Sequence, residues 1–551
     1  MKFIHQRFVL ISLVCLVVTS LATGSLAAFA AEGALDLSQD QTAALDQGLT
    51  NPGTLKVGME ANYSPYNWSQ ADDQGGAVPI SNSPGEYANG YDVQVAKNLA
   101  DQLGLKLEIQ KLEWDGLAPA LQSGMIDAII AGMSPTPDRL KQLDFTDAYY
   151  QASMVVVVAK DGPYGQAKSL DDFKDAKITA QLNTFHVDLI EQLKGAQAQV
   201  PMDSFPTMTS ALISHRIDGF ISDIAGAMGI VAANQDLTYI EFPEGQGFDL
   251  DPSVSTIAVG LRKGSPLKPI LNQALGNISP DQQDQIMKDM VQLKEGGQST
   301  GFWGQVASIW NQYGSQFIRG AMNTLIIALV STILGCILGL LIAIYRTIPV
   351  SREDNGWTFF LYKLFDFIIL AYIEIFRGTP MMVQAMLIYY GSKLFFNIDM
   401  SSMFAAFLIV SINTGAYLAE VMRGGITSVD KGQSEAAKAI GMNHLQTMTN
   451  VVLPQAIKTT LPAIANEFVI NIKDTSVLNV IAVTELFFTT RSVAGSTYLT
   501  FQTFLITSLI YFVLTFTTTR IIRLFEYKMN GKDNYTIHHS STTPASLQKG
   551  A

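Results

Sequence analysis

The chain is poor in the residues and patterns that most chemistry requires. Only two cysteines occur in 551 residues, Cys15 and Cys336. Both lie inside apolar segments, which excludes a structural disulfide between them and a thiolate metal site. The sequence has no Walker-type phosphate loop, no His-Glu-x-x-His zinc helix and no nucleophile elbow at a strand-to-helix turn. It therefore carries no recognisable nucleotide, zinc or acyl-transfer machinery of its own. Basic charge is also short, 36 Lys and Arg against 48 Asp and Glu for a net charge of −12. That balance argues against a nucleic-acid partner. Long hydrophobic runs are nearly missing from the first half once the N-terminus is passed, and they dominate the second half.

The N-terminus has a basic start (Lys2, Arg7), an apolar core and Ala28-Phe29-Ala30. This pattern predicts a secretory signal or N-terminal anchor over residues 1–30 and export of the half of the chain behind it. Across residues 51–297 short apolar strands alternate with helical patterns. Residues 55–60 read as a strand. Residues 91–104 read as a helix with Val93, Ala96, Leu99, Ala100 and Leu103 on one face and Gly104 as its stop. Residues 105–112 alternate like a half-buried strand, a helix begins at Trp114, and residues 126–133 make the next strand. This order predicts a parallel sheet with right-handed crossovers. The theme restarts at residues 177–182 and 217–223, with 154–159 and 254–261 expected to cross between the two lobes. Two hinged lobes enclose a cleft for a ligand. The Gly/Ser/Pro/Asn-rich residues 69–89 read as an inserted loop without site chemistry.

The runs GYDVQVAKNLADQLG and EWDGLAPALQSGMIDAIIAGMSPTPDRLKQLDFTDAYY resemble the extracytoplasmic solute-binding proteins for polar amino acids (family 3), over essentially all of residues 53–297. The resemblance implies a two-lobed α/β periplasmic-binding-protein-like fold of type II. It also implies a zwitterionic ligand. Arg139 offers a guanidinium fork for the ligand carboxylate, aided by the backbone around Gly132 and the hydroxyl of Ser134. Asp223 would take the ammonium. Tyr63 and Trp114 would sandwich the side chain, and Glu60 would face its distal end. Gln181 and Thr184 complete the set. Within residues 181–186 the chain departs from the family, with Asn183 where Gly is common and Phe185 where a small hydroxyl residue is common. Glu60 favours a basic ligand, lysine or arginine; glutamine or another neutral polar amino acid is the alternative.

Residues 298–316 read as a linker. Apolar stretches then occupy 317–345, 358–396, 402–422, 460–484 and 500–522, each near or above the ~20 residues of a span. Counting 358–396 as one helix interrupted at Gly378–Pro380 gives about five spans in an all-α domain over 317–527. The tail 528–551 then lies inside, near Arg520, Arg523, Lys528 and Lys532. Between two spans, residues 435–454 predict two short helices. Asp430 and Gln433 open the first and Gly441 closes it. Asn443 with Gln446 forms a capping box for the second, and Pro454 stops it. The pattern Glu435-Ala436-Ala437-x3-Gly441 through Leu453-Pro454 resembles the coupling loop of ATP-binding-cassette importer permeases. Residues 372–384, 415–426 and 466–486 are similar to the polar-amino-acid members. The resemblance implies a separate ATP-binding protein in two copies and a homodimer of this chain. No cofactor or metal is expected in the chain itself. Glu374, Arg377, Lys473 and Asp474 stand in apolar surroundings, as expected for a translocation path or mutual pairing. Two rivals remain. A ligand-gated channel would split the binding lobes with a pore insertion, and a lyase on the same scaffold would need Glu60 and His186 as an acid/base pair.

Overall fold

The computed structural model describes residues 34–530 except 152, 244, 251–254, 295–300 and 349–355. The expected signal segment 1–30 and the tail beyond Asn530 lie outside the described residues.

The first lobe is built on β1 (Thr54–Met59), whose Leu55, Val57 and Met59 are buried. A small antiparallel sheet comes next, with β2 (Asn62–Tyr63), β3 (Asn67–Gln70), β4 (Val78–Pro79) and β5 (Tyr87–Asn89) in the order β2-β3-β5-β4. The stretch 69–89 is thus no structureless insertion. Its polar strand residues pair with one another and with the rest of the lobe. Then come α1 (Tyr91–Gln102), β6 (Lys106–Lys111), α2 (Trp114–Gln122), β7 (Ala128–Ile129), α3 (Pro137–Gln142) and β8 (Leu143–Gln151). Helix α1 buries Val93, Ala96, Leu99 and Ala100, and Gly104 lies just past it at φ +62°. The second lobe contains β9 (Met154–Ala159), β10 (Lys177–Thr179), β11 (Gln197–Ala198), α4 (Phe205–Ile213), β12 (Gly219–Asp223), α5 (Ile224–Ala233) and β13 (Leu237–Ile240), and β14 (Thr256–Arg262) returns to the first lobe.

The two sheets run β6-β1-β7-β14-β8 and β11-β10-β12-β9-β13. Their parallel halves keep the β-α-β order. The expectation of wholly parallel sheets fails at β8, β9, β13 and β14, which pair antiparallel. β8 and β9 belong to different sheets with no helix between them, so the chain changes lobes there instead of crossing over within one sheet. For the same reason the expected crossing strands do not cross. Each belongs to one lobe's sheet, and the chain passes between lobes at 151–154 and again between β13 and β14.

The membrane domain is helical throughout: α6 (Phe302–Arg346), α7 (Gly356–Gly378), α8 (Met381–Phe396), α9 (Ser402–Ser428), α10 (Lys431–Ala439), α11 (His444–Thr447), α12 (Leu453–Asp474), α13 (Leu486–Thr497) and α14 (Thr500–Asn530). The stretch read as a linker is helical from Phe302 onward, continuous with the first span. Among the described residues three helices are long and apolar enough to cross a membrane, α6, α9 and α14. A bent pair, His444–Ile481 with Leu486–Thr497, makes a fourth. The expected broken span is divided before Pro380 into α7 and α8. Helices α6 and α9 touch at glycines. A Cβ on Gly335 would meet Thr414 Cγ2 at 2.7 Å, and one on Gly339 would meet Ala419 N at 2.8 Å. Such small residues let two helix backbones approach closely. Beside this contact Asn471 donates to Thr332 at 2.9 Å and to Thr414 at 3.0 Å.

Candidate functional site

The cleft lies where the strand ends of both lobes meet. Glu60 directly succeeds β1, Tyr63 ends β2, and Trp114 opens α2. Gly132 and Ser134 lie just after β7, Arg139 lies in α3, and Asp223 ends β12 and caps α5. All nine expected ligand residues, Glu60, Tyr63, Trp114, Gly132, Ser134, Arg139, Gln181, Thr184 and Asp223, line one cavity.

The lobes are closed on each other. Arg139 donates to Ser134 O of its own lobe at 2.9 Å and to Asn183 O of the other at 3.2 Å, and its guanidinium lies over the Trp114 ring. Burial lowers its pKa to about 10, so it stays charged at neutral pH. Asn183 adopts φ +60°. This left-handed conformation costs glycine nothing and is tolerated by asparagine. Its amide reaches Asp115 of the first lobe at 3.0 Å. Asp223 accepts from Gly226 N at 2.9 Å and from the Tyr63 hydroxyl, while burial raises its pKa. Glu60 is 6 % exposed. Burial, then Glu113, pushes its pKa up to about 8, with Arg491 opposing.

Both expected sandwich residues line the cleft, each covered by a second side chain. Tyr63 stacks on Phe205 of the second lobe with centroids 4.8 Å apart, while Trp114 is covered by Arg139. Phe205, Phe185, His186, Ser255 and Met154 also line the cleft. Of these, only His186 and Phe185 stand out in the sequence; Phe205 starts a helix without any periodic signature. Burial, then Arg139, lowers the His186 pKa to about 3, so the imidazole is neutral.

Between α9 and α12 the expected coupling loop takes its predicted local form. Asp430 caps α10, Gly441 lies beyond it at φ +86°, and Asn443 and Gln446 form a capping box. Pro454, however, stops nothing. It sits in the first turn of α12, where its missing N–H is not needed, and a π-turn over Met448–Val452 joins α11 to α12. Glu435, Ala436 and Gly441 are exposed, Ala437 is buried and Leu453 half-buried. Glu374, Arg377, Lys473 and Asp474 are exposed on the single chain and form no ion pair among the described residues; Arg377 lies over the Tyr417 ring instead.

Where the membrane domain meets the binding domain, α13 packs into it. Lys111, 1 % exposed, bonds to Glu86 at 2.6 Å and to the Ser492 hydroxyl. Ser69 N donates to Ser496 Oγ at 3.2 Å, Tyr498 to Ser64 O at 2.7 Å and Thr500 to Pro206 O at 3.0 Å. A Cβ on Gly495 would overlap the Asn62 backbone. The sequence carries one signal here. Arg491 is the sole charge in the twelve residues of α13.

Residues 55–291 match the family of bacterial extracellular solute-binding proteins, family 3. Residues 356–531 match the binding-protein-dependent transport system inner membrane component. The arginine transport system permease protein ArtQ of Bacillus subtilis is 32% identical over 216 residues, 39% of this chain and 93% of that one. The glutamine transport system permease protein GlnP of Escherichia coli is 33% identical over 213 residues, 38% of this chain and 92% of that one. A solved amino acid ABC transporter substrate-binding protein of Streptococcus pneumoniae, bound to L-arginine, is 25% identical. It spans 46% of this chain and 98% of its own length, with a TM-score of 0.39.

Proposed function

Since this chain belongs to the ABC importers of polar amino acids, with a family 3 solute-binding domain fused ahead of an inner-membrane permease domain, we propose that its ligand is a basic amino acid, lysine or arginine. The observation that carries this choice is Glu60. The cleft already holds Asp223 for an ammonium and Arg139 for a carboxylate. A second buried carboxyl group without an ion partner in the cleft is costly in its charged form. Its pKa of about 8 expresses that cost. A distal cation on the ligand removes it. The second reading, glutamine, draws on the same number, because a protonated Glu60 can donate to an amide oxygen.

The transport cycle arises from the two ends of the permease domain. The binding lobes stand outside, and α10 and α11 stand inside, seated on a separate ATP-binding protein. Exposed Ile440 and Leu445, 79 % and 70 % accessible, support that contact. Glu435, Ala436, Ala437, Gly441, Leu453 and Pro454 shape the contact. One chain carries one such loop, so two chains and two ATPase subunits assemble. ATP-driven closure then moves the loops and alternates access to the pore. Glu374, Arg377, Lys473 and Asp474 face the path between the two chains. The channel reading leaves α10 and α11 without a task, and the binding domain carries no pore insertion. The lyase reading requires turnover by Glu60 and His186.

Calorimetry on the full chain in nanodiscs tests the ligand. Glu60→Gln should weaken arginine or lysine by about 2–4 kcal/mol, the range for removing one partner of a buried charge pair, and leave glutamine nearly unchanged. Tight glutamine binding without arginine or lysine binding overturns the basic ligand. Chemical conversion of the ligand would revive the lyase.

A further inference from the structure

Arg491 leaves the membrane domain and ends between the two binding lobes. One guanidinium nitrogen lies 3.2 Å from Glu113 and another 2.7 Å from Asp203. Glu113 belongs to the first lobe and immediately precedes Trp114, a cleft residue. Asp203 belongs to the second lobe, two positions before Phe205, also a cleft residue. A small cavity lined by Asn62, Asp203 and Arg491 abuts this point. Without Arg491, the neighbourhood of the cleft mouth would hold Glu113, Asp115 and Asp203, and Glu60 once a cation displaces its proton, a field that favours a cationic side chain.

We propose that Arg491 is a competing cation delivered by the membrane domain, which lowers the closed cleft's affinity for a basic ligand and so favours its release toward the pore. The inference rests on the basic ligand proposed above. Three features carry it. The pairing needs Glu113 and Asp203 within reach of one guanidinium, so it forms only when the lobes are closed and docked. Glu60 and Glu113 are buried or nearly so, and solvent ions screen such charges weakly. A neutral ligand side chain feels little of this field, so the effect discriminates between ligands. Arg491 also opposes the upward shift of the Glu60 pKa, so its charge is felt inside the cleft.

The test compares arginine and glutamine affinities by calorimetry on the full chain in nanodiscs. Arg491→Leu is expected to tighten arginine about tenfold, as expected for removing one like charge at this depth, and to change glutamine by less than about twofold. Arg491→Gln, which keeps hydrogen-bonding capacity without charge, should behave alike, and Arg491→Lys should restore the original discrimination. Unchanged or weaker arginine binding in both neutral variants, or equal tightening of glutamine, overturns the inference. A wild-type chain that binds none of arginine, lysine and glutamine overturns the proposed function itself. A chain that binds glutamine alone overturns the basic ligand and this inference together.

Discussion

The permease domain presents short helices at both of its ends, and the two ends differ in how they are covered. At the outer end, the docking residues of α13 and the turn after it are buried and hydrogen-bonded to the binding domain, and Gly495 is pressed against Asn62. At the inner end, α10 and α11 have well-formed caps but leave Ile440 and Leu445 largely in the open. Local sequence makes both sets of helices. Burial separates them, because only the outer set has a complementary surface in the same chain. We read this exposed apolar pair on a capped motif as the seat proposed above for the ATP-binding protein.

The strongest way to break this comparison is at Gly495. Gly495→Leu should abolish amino-acid uptake in proteoliposomes while calorimetric ligand binding is retained, with arginine bound more tightly because Arg491 no longer reaches Glu113 and Asp203, since overpacking a tight contact costs about 1–3 kcal/mol and the docked state is lost. Uptake that persists would show that the outer contact is dispensable. The matching change at the inner end is Gly441→Val. A β-branched residue at φ +86° is strained by about 1–3 kcal/mol, so ligand-stimulated ATP hydrolysis by the assembled transporter should fall several-fold with binding unaffected. The cleft itself answers to pH instead. Glu60 is protonated below about pH 8 in the folded chain, so a cationic ligand must displace that proton. Arginine affinity should rise by up to about tenfold per pH unit between pH 6 and 8 and then level off, with proton release on binding seen by calorimetry in buffers of different ionisation enthalpy. Glutamine affinity should stay flat. The same shift makes the fold lose stability as pH rises from 4.5 through about 8, because the folded state holds the proton more tightly than the unfolded chain. The smallest effect is expected at Thr500→Val, which removes one hydrogen bond to Pro206 O and should shift thermal stability by about 0.5–1.5 kcal/mol.

Much of this is legible in the sequence for local reasons. Helix α1 announces itself through its apolar spacing and Gly104, and the caps at Asp430, Gly441 and Asn443 are short-range chemistry that folding rarely overrides. The cleft residues are legible through the resemblance to the solute-binding family; most of them stand at a strand end or in the turn after it, while Arg139 lies in α3. Long-range partners are not legible. Nothing local tells that Ser69 will meet Ser496, or that Phe205 will cover Tyr63. The stretch 69–89 misleads because its turn-rich composition hides two-to-four-residue strands that depend on neighbours for their pairing. Pro454 misleads because a proline ends one helix or begins the next, and only the π-turn before it decides which.

The glycine contact between α6 and α9 has a mechanical consequence. With Gly335 and Gly339 against Thr414 and Ala419, the two backbones have no side-chain layer to slide on. Lower down, Arg346 ties α6 to Glu420 of α9 at 2.6 Å and to Asp366 of α7 at 3.5 Å. The pair is therefore held together as one stiff unit. One tip leads into α10, separated from Ser428 only by Val429 and Asp430. Its outer arm carries Gly320, whose added Cβ would meet the Leu486 Cα at 3.0 Å, at the root of α13. In the transport cycle proposed above, a push applied at the α10 end would reach α13 through this packed pair, as torque rather than through a relay of side-chain switches.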